Sequence, residues 1–117
     1  MAAAPKGEAS VLTTRIIVLL NLKPGKSPAD YEAWARSTDL PIVNALKSVE
    51  KFALFAATGL LGSDAQPPYQ YIEILDVSDM EAFGSDIVTD TMKRVAGEFQ
   101  SWADPVFITT RNVGGAA

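Results

Sequence analysis

The sequence contains no cysteine and no histidine among its 117 residues. The absence of cysteine excludes a disulfide framework, thiolate catalysis and cysteine-based zinc sites. The absence of histidine excludes Ser–His triads, the two-histidine iron triad and a proximal haem ligand. A D-x-D-x-D cluster that could bind a metal through oxygen atoms alone is also missing. Any chemistry must therefore use carboxylates, tyrosines, amides or arginine, and we expect no cofactor and no metal.

Basic residues are few and scattered. The ten Lys and Arg residues form no run, the net charge is −4 and the isoelectric point is about 4.6. Because nucleic-acid binding needs a clustered basic surface, we expect no nucleic-acid partner. The apolar run 16–20 is too short to span a membrane, and the first ten residues lack the apolar region of a signal peptide. We therefore expect a cytoplasmic protein with no membrane contact.

The composition is that of one globular domain, with 48% hydrophobic and 21% charged residues. Residues 1–11, rich in Ala with Pro and Gly, are predicted to be a disordered tail, and residues 114–117 a second one. The single domain then spans residues 12–113.

Turn, cap and β-branched residues divide this domain into elements. Ser27 is a predicted N-cap with Pro28 at the first helical position, and Pro41 should interrupt the helix that follows. Strands are predicted at 14–22, 51–58, 69–77 and 106–110, and helices at 30–38 and 42–48. The loop 59–68 is predicted to be a lid or a dimer contact. A further helical region should begin at the capping box 78–81 and be interrupted at 89–90.

The order βαββαβ predicts an α+β fold, a ferredoxin-like antiparallel sheet with helices on one face and strands one and three at its centre. The first strand is apolar on both sides, with Ile16, Val18 and Leu20 on one face and Ile17 and Leu19 on the other. Helices cover only one face. A second subunit most simply buries the other, which predicts a homodimer, the dimeric α/β barrel.

Glu73 is the leading catalytic candidate because it is a carboxylate inside the apolar strand 69–77. Burying an ionised carboxylate is costly unless it is paired or its pKa rises. Glu73 could therefore be a desolvated general base or acid with a raised pKa. The alternative is a structural ion pair with Arg15 on the neighbouring central strand, and Arg15 is also a candidate substrate-binding residue.

Tyr69 and Tyr71 share a face with Glu73 by the period of two, and a tyrosine hydroxyl can orient a carbonyl group. Core packing is the more common role of such residues. Asn21, at the opposite end of the first strand, should approach the start of the third. Its amide would suit substrate recognition or could simply end the strand.

Asp39 is a second catalytic candidate, at the point where the crossover helix should break and open a pocket. An N-cap role for the helix near Pro41 is the alternative. Tyr31 and Trp34 should face the sheet as core residues, although an aromatic ligand would stack on them naturally.

Long segments of the chain are similar to a known family. They are 15–25, 31–36 with Asp39 and Pro41, 58–63, 67–74, and Phe99 with Trp102. Together they resemble the REDY-like HapK family, within the dimeric α/β-barrel superfamily. The resemblance implies no bound cofactor and a role beside aromatic, nitrogen-containing secondary metabolites of the prodiginine type. It implies no set of catalytic residues.

Three functions follow from these observations. The first is a cofactor-independent enzyme that acts on a small aromatic or pyrrole-type intermediate by proton abstraction, condensation or cyclisation, with Glu73 as its base. The second is a cofactor-free monooxygenase, for which Asn21 and Trp34 are weak matches. The third is a non-catalytic dimeric carrier of a pathway intermediate.

Overall fold

The structure is a computed structural model that describes residues 13–116. The predicted tail 1–11 lies outside these residues, and the predicted disorder of 114–117 stays a prediction. The elements in chain order are β1 Thr14–Leu22, α1 Pro28–Trp34, a π-helical turn Ala35–Asp39, α2 Leu40–Asn44, β2 Val49–Ala56, β3 Tyr71–Val77, α3 Met80–Asp86, α4 Asp90–Trp102 and β4 Ala103–Thr109.

The four strands form one sheet in the order β2-β3-β1-β4, and every neighbouring pair is antiparallel. Strands β1 and β3 are central, in a register that pairs Thr14 with Val77 and Leu20 with Tyr71. The predicted α+β sheet with β1 and β3 at its centre is confirmed. This register decides which β3 side chains lie under the helices.

The helices cover one face of the sheet and bury the alternate residues of β1. Ile16, Val18 and Leu20 point to this side and are at most 6% exposed. The helical segments contribute the buried residues Tyr31, Val43, Met92 and Phe99 to the same core.

The other face of the sheet is apolar and carries no helix. Its side chains are half-buried or exposed, and Phe55 is 54% exposed. The face consists of Ile17, Leu19, Ala53, Phe55, Ile72, Ile74, Val106 and Ile108, and we call it the open face.

Hydroxyl and carboxylate caps start three helices. The Ser27 side chain accepts from the backbone N–H of Asp30, as predicted. Asp79, rather than Ser78, caps α3 by accepting from two backbone N–H groups. Thr89 caps α4, so the predicted interruption near Thr89 is confirmed.

The crossover helix, which consists of α1, the π-helical turn and α2, does not break at Pro41 as predicted. It widens instead into a π-helical turn, in which the Leu40 N–H bonds to the Ala35 carbonyl five residues back. Pro41 has no N–H and its ring would clash with the carbonyl four residues before it. A wider turn relieves that conflict and keeps the backbone helical through α2. The predicted helix 42–48 is thus α2, Leu40–Asn44.

Strand boundaries differ from the prediction by two or three residues. β2 covers Val49–Ala56, β3 begins at Tyr71 rather than Tyr69, and β4 begins at Ala103. Pro105, expected to lie before the last strand, is inside it. Because β4 is an edge strand, the missing N–H of proline is tolerated there.

Asn44 at the end of α2 holds this helix against the edge strand β2. Its side-chain amide donates to the Phe52 carbonyl at 2.9 Å and accepts from the Phe52 N–H at 3.0 Å. A further bond to the Leu40 carbonyl, at 2.9 Å, fixes the amide. One side chain therefore satisfies both backbone groups of a sheet-edge residue.

We expect Asn44→Ala to lower the free energy of unfolding by about 1–3 kcal/mol, because both backbone groups of the buried Phe52 lose their partners. Urea unfolding measures the difference, and Gln100→Ala on the exposed side of α4 is the control. A change below about 0.5 kcal/mol, the usual size for a surface substitution, would contradict the role assigned to Asn44.

Candidate functional site

Glu73 lies in the middle of β3, on the face that the helices cover. Its cross-strand neighbours are Val18 on β1 and Leu54 on β2. The residue is only 3% exposed. The strand period therefore places a carboxyl group in the apolar layer between sheet and helices.

Asp39 is the second acid in this layer, at 6% exposure. The predicted alternative, an N-cap role, is wrong: Asp39 has helical backbone angles and makes no capping hydrogen bond with its side chain. The π-helical turn instead buries Asp39 close enough to Glu73 for their charges to interact.

Burial changes the proton affinity of both acids. Desolvation raises the pKa of Asp39 to about 6. Desolvation, and then the negative charge of Asp39, raise the pKa of Glu73 to about 8. The two environments give the two carboxyl groups different pKa values. Near neutral pH the pair therefore holds about one proton.

Two buried oxygen atoms in this layer have no hydrogen-bond partner within residues 13–116. They are the Tyr31 hydroxyl and Oε2 of Glu73. The hydroxyl is near enough to oppose the rise in the pKa of Glu73, although the two groups do not meet the geometry of a hydrogen bond. Burial and the nearby acids raise the pKa of Tyr31, which therefore stays protonated. Unsatisfied buried polar atoms are rare, and a catalytic role is one of the physical reasons for which proteins keep them.

A cleft of about 210 Å³ opens between the crossover helix and the β2–β3 edge. Glu73 and Asp39 do not line it, but each lies next to residues that do: Leu54 is the cross-strand partner of Glu73, and Leu40 follows Asp39. The lining residues are Glu32, Arg36, Leu40, Leu54, Ala56 and Tyr71.

Three polar side chains form a connected rim on this cleft. Glu32 accepts from the Tyr71 hydroxyl at 2.7 Å and from Nη2 of Arg36 at 3.2 Å. Burial and the bond to Glu32 raise the pKa of Tyr71 to about 12. Sequence reasoning missed Glu32 and Arg36. Their i,i+4 spacing beside the buried Tyr31 and Ala35 was the available signal.

The predicted ion pair between Arg15 and Glu73 is wrong. Arg15 pairs with Asp76 instead, through two hydrogen bonds of 2.8 and 3.0 Å. The register places Arg15 opposite Asp76, on the side of the sheet away from the helices. Glu73 thus has no cationic partner within residues 13–116, and the structure does not bring Arg15 to the cleft.

Asn21 lies beside the start of β3, as predicted, but both ends of its amide are used there. It donates to the Pro68 carbonyl and accepts from the Gln70 N–H, both at 2.9 Å. This is the strand-ending role. Tyr69 precedes β3, so the period-two argument that aligned it with Glu73 does not hold.

The predicted aromatic candidates form a packed cluster. The Tyr31 ring lies 4.9 Å from Tyr71 and 6.1 Å from Trp34, between ring centroids. Trp34 also stacks on Phe99, and its indole N–H donates to Glu98 at 2.8 Å. Of the predicted site residues, the structure therefore gathers Asp39, Glu73, Tyr31, Tyr71 and Trp34.

Over residues 13–116, no group of three or more acidic side chains is arranged to hold a metal ion. The same stretch contains no helix with the length and apolar character needed to cross a membrane.

The raised pKa of Glu73 makes stability depend on pH. The native protein keeps a proton that the unfolded chain releases, so this contribution is complete below pH 4.5 and is lost as the pH rises through about 8. In wild type, we expect the loss of this contribution to lower the free energy of unfolding by up to about 1.4 kcal/mol per pH unit as the pH rises through this range.

Glu73→Gln should remove this decline, because glutamine does not titrate. Any effect of the buried amide itself is constant with pH. The change with pH of the difference in unfolding free energy between wild type and Glu73→Gln therefore reports the titration of Glu73. Urea unfolding between pH 5 and 8.5 measures it, with Asp64→Asn in the exposed loop as the control. Parallel curves for wild type and Glu73→Gln would show that Glu73 has an ordinary pKa.

Comparisons with known proteins agree with the fold. The crystal structure of HapK from Hahella chejuensis matches with 25% identity and a TM-score of 0.71, over 89% of this chain and 96% of that one. A hydroxynitrile lyase from Passiflora edulis matches with 13% identity and a TM-score of 0.73, over 91% and 99%. A dimeric ferredoxin-like protein of unknown function from Thermobifida fusca matches with 17% identity and a TM-score of 0.67, over 86% and 91%.

At these two lower identities the likeness shows the shared fold alone. No curated protein matches the chain. The family model of REDY-like protein HapK matches residues 14–113, which is nearly the whole domain. The chain therefore belongs to the REDY-like HapK family.

Proposed function

We propose that the protein is a cofactor-independent enzyme that moves a proton on a small aromatic intermediate of secondary-metabolite biosynthesis. The observation that carries this proposal is Glu73, which is buried with an unpartnered Oε2 and a raised pKa, beside a second buried acid and a cleft. Perturbed acids next to a cleft are typical of catalytic sites.

In this proposal ionised Glu73 is the general base. It takes a proton from a carbon next to a carbonyl group: the C–H bond breaks, the proton moves to Glu73, and the electron pair forms a C=C bond while the charge moves to the carbonyl oxygen. Asp39 does not touch the substrate; burial, and then the charge of Asp39, keep the pKa of Glu73 high. Because Glu73 does not line the cleft, a small side-chain shift must expose it to the bound substrate.

The size of the cleft limits the substrate. A cavity of about 150 Å³ holds one benzene molecule, so a cleft of about 210 Å³ suits one ring with a short substituent rather than an extended multi-ring product. The resemblance to proteins associated with prodiginine pigments supports an aromatic, nitrogen-containing pathway. The Passiflora edulis neighbour supports the proposal further, since its name describes a lyase on this fold.

The two alternatives receive less support. A monooxygenase would need free Asn and Trp donors around a substrate anion, but the single N–H donor of Trp34 is bonded to Glu98 and Asn21 already uses one amide N–H on Pro68. A non-catalytic carrier would have no use for a buried acid pair.

We expect the protein to accelerate deuterium exchange at the α-carbons of phenylacetone in D₂O, as followed by NMR. Glu73→Gln should lower the enzymatic rate by about two orders of magnitude or more, the usual contribution of a general base. The rate should rise with pH through about 8, because the ionised carboxylate is the active form. Asp64→Asn is the control. Equal exchange by wild type and Glu73→Gln would favour the carrier.

We also propose that the functional unit is a homodimer that buries the open face. This face carries exposed apolar side chains, among them Val106 at 45% and Ile108 at 41%. Apolar patches of this kind mark protein interfaces. The Thermobifida fusca neighbour, described as dimeric, supports the same arrangement. Packing of two sheets through their open faces would form the α/β barrel.

We expect sedimentation to give a dimer at micromolar concentration, and Ile17→Glu to give a monomer or insoluble protein, because it would bury a charge between subunits. Val88→Glu is the matched control, since Val88 is a 59% exposed aliphatic residue outside the sheet. A stable wild-type monomer, or an Ile17→Glu protein that still dimerises, would contradict the proposal.

A further inference from the structure

We propose that Arg36 is the specificity-determining residue of the cleft and binds the carbonyl oxygen of a neutral, one-ring carbonyl compound. The inference rests on the proposed function and names the substrate class for that site. It comes from the donors that Arg36 leaves unused, its bond to Glu32, and the charges around it.

The Arg36 guanidinium lines the cleft with most of its donors free. Its side chain is 71% exposed, and its one polar partner within residues 13–116 is Glu32. A guanidinium carries five N–H donors and accepts nothing. Several donors therefore remain for an acceptor group in the cleft.

Glu32 is bonded to both Arg36 and Tyr71. Its Oε1 accepts from Arg36 and its Oε2 from the Tyr71 hydroxyl. Because each carboxylate oxygen already has a donor, Glu32 positions Arg36 and does not compete with Glu73 as the base. The three residues form a connected polar group that joins the helix side of the cleft to the sheet side.

The rest of the lining is apolar. Leu40, Leu54 and Ala56 offer packing surface and no side-chain donor or acceptor. A ligand that fills the cleft can therefore pack an apolar body against these residues and place an acceptor atom near Arg36.

The charges around the cleft favour a neutral acceptor over a carboxylate. Arg36 is balanced by Glu32, and Asp39 adds negative charge nearby. A carboxylate ligand would enter a region without net positive charge. A carbonyl oxygen can accept a hydrogen bond from Arg36 without bringing a negative charge into this region, and that bond strengthens as negative charge develops on the oxygen.

The π-helical turn places the two functions on one segment. Arg36 lies near its start and Asp39 at its end. Arg36, which would bind the carbonyl oxygen, and Asp39, which adds to the effect of burial on the pKa of Glu73, are therefore held on one five-residue turn.

Arg94 provides a matched comparison within the same chain. It forms an i,i+4 pair with Glu98 at 3.1 Å, and Glu98 accepts from an aromatic side chain, as Glu32 does. Arg94 is 57% exposed at its side chain but does not line the cleft. A general effect of surface arginine would appear in both.

The test is binding of two probes of the same shape, neutral phenylacetone and anionic phenylacetate, followed by amide NMR shifts at Leu54, Ala56 and Tyr71. We expect phenylacetone to bind wild type more tightly than phenylacetate does. Arg36→Met should weaken phenylacetone binding about tenfold or more, Arg36→Lys less, and Arg94→Met not measurably.

Equal phenylacetone binding by wild type and Arg36→Met, absence of phenylacetone binding, or tighter binding of phenylacetate would each overturn the inference. Phenylacetone binding that depends on Arg36, together with deuterium exchange unaffected by Glu73→Gln, would support the binding role of Arg36 and reject the proposed acid–base function. Deuterium exchange that needs Glu73 but not Arg36 would support the acid–base function and reject the binding role of Arg36.

Discussion

The architecture of the site depends on one costly feature, a carboxyl group held in the apolar layer between sheet and helices. Glu73 is opposed by Val18 and Leu54 and has no cation to balance it within residues 13–116. Burial raises the pKa of Glu73, so this carboxyl group is largely protonated near neutral pH and the cost of a buried charge is reduced. An aliphatic residue there would avoid the cost, which is the physical reason to assign Glu73 a task.

The π-helical turn adds further groups to the candidate site around this acid. Pro41 forces the helix to widen, and the widened turn buries Asp39 beside Glu73 while Arg36 stays on the cleft wall. Single π-helical turns within a helix are common at functional sites. Asn44 then holds the end of the crossover against β2, so the site is fixed between a helix and the edge of the sheet.

The sequence predicted those features that depend on local periodicity. The element order, the central strands and a buried Glu73 all follow from alternating apolar residues and from caps such as Ser27. The ion pair of Arg15 depended on register, in which a shift of one residue moves a side chain to the other face. Periodicity alone could not fix that register, and Asp76 proved to be the partner.

The cleft could not be predicted for a similar reason. Glu32 and Arg36 look like an ordinary exposed i,i+4 pair, and only the tertiary arrangement brings them to Tyr71 and Leu54. The orientation of Asp39 depended on a five-residue hydrogen-bond step that no apolar pattern encodes. Residues of the candidate site were thus predictable where burial follows a local pattern, and not where a backbone irregularity or a tertiary contact decides.

The central claim, that Glu73 is a buried acid coupled to Asp39, is tested most directly by a ¹³C NMR titration of the glutamate side-chain carboxyl groups. We predict one glutamate resonance that titrates near pH 8 and that disappears in Glu73→Gln. A spectrum in which every glutamate completes its titration below pH 6 would contradict the account.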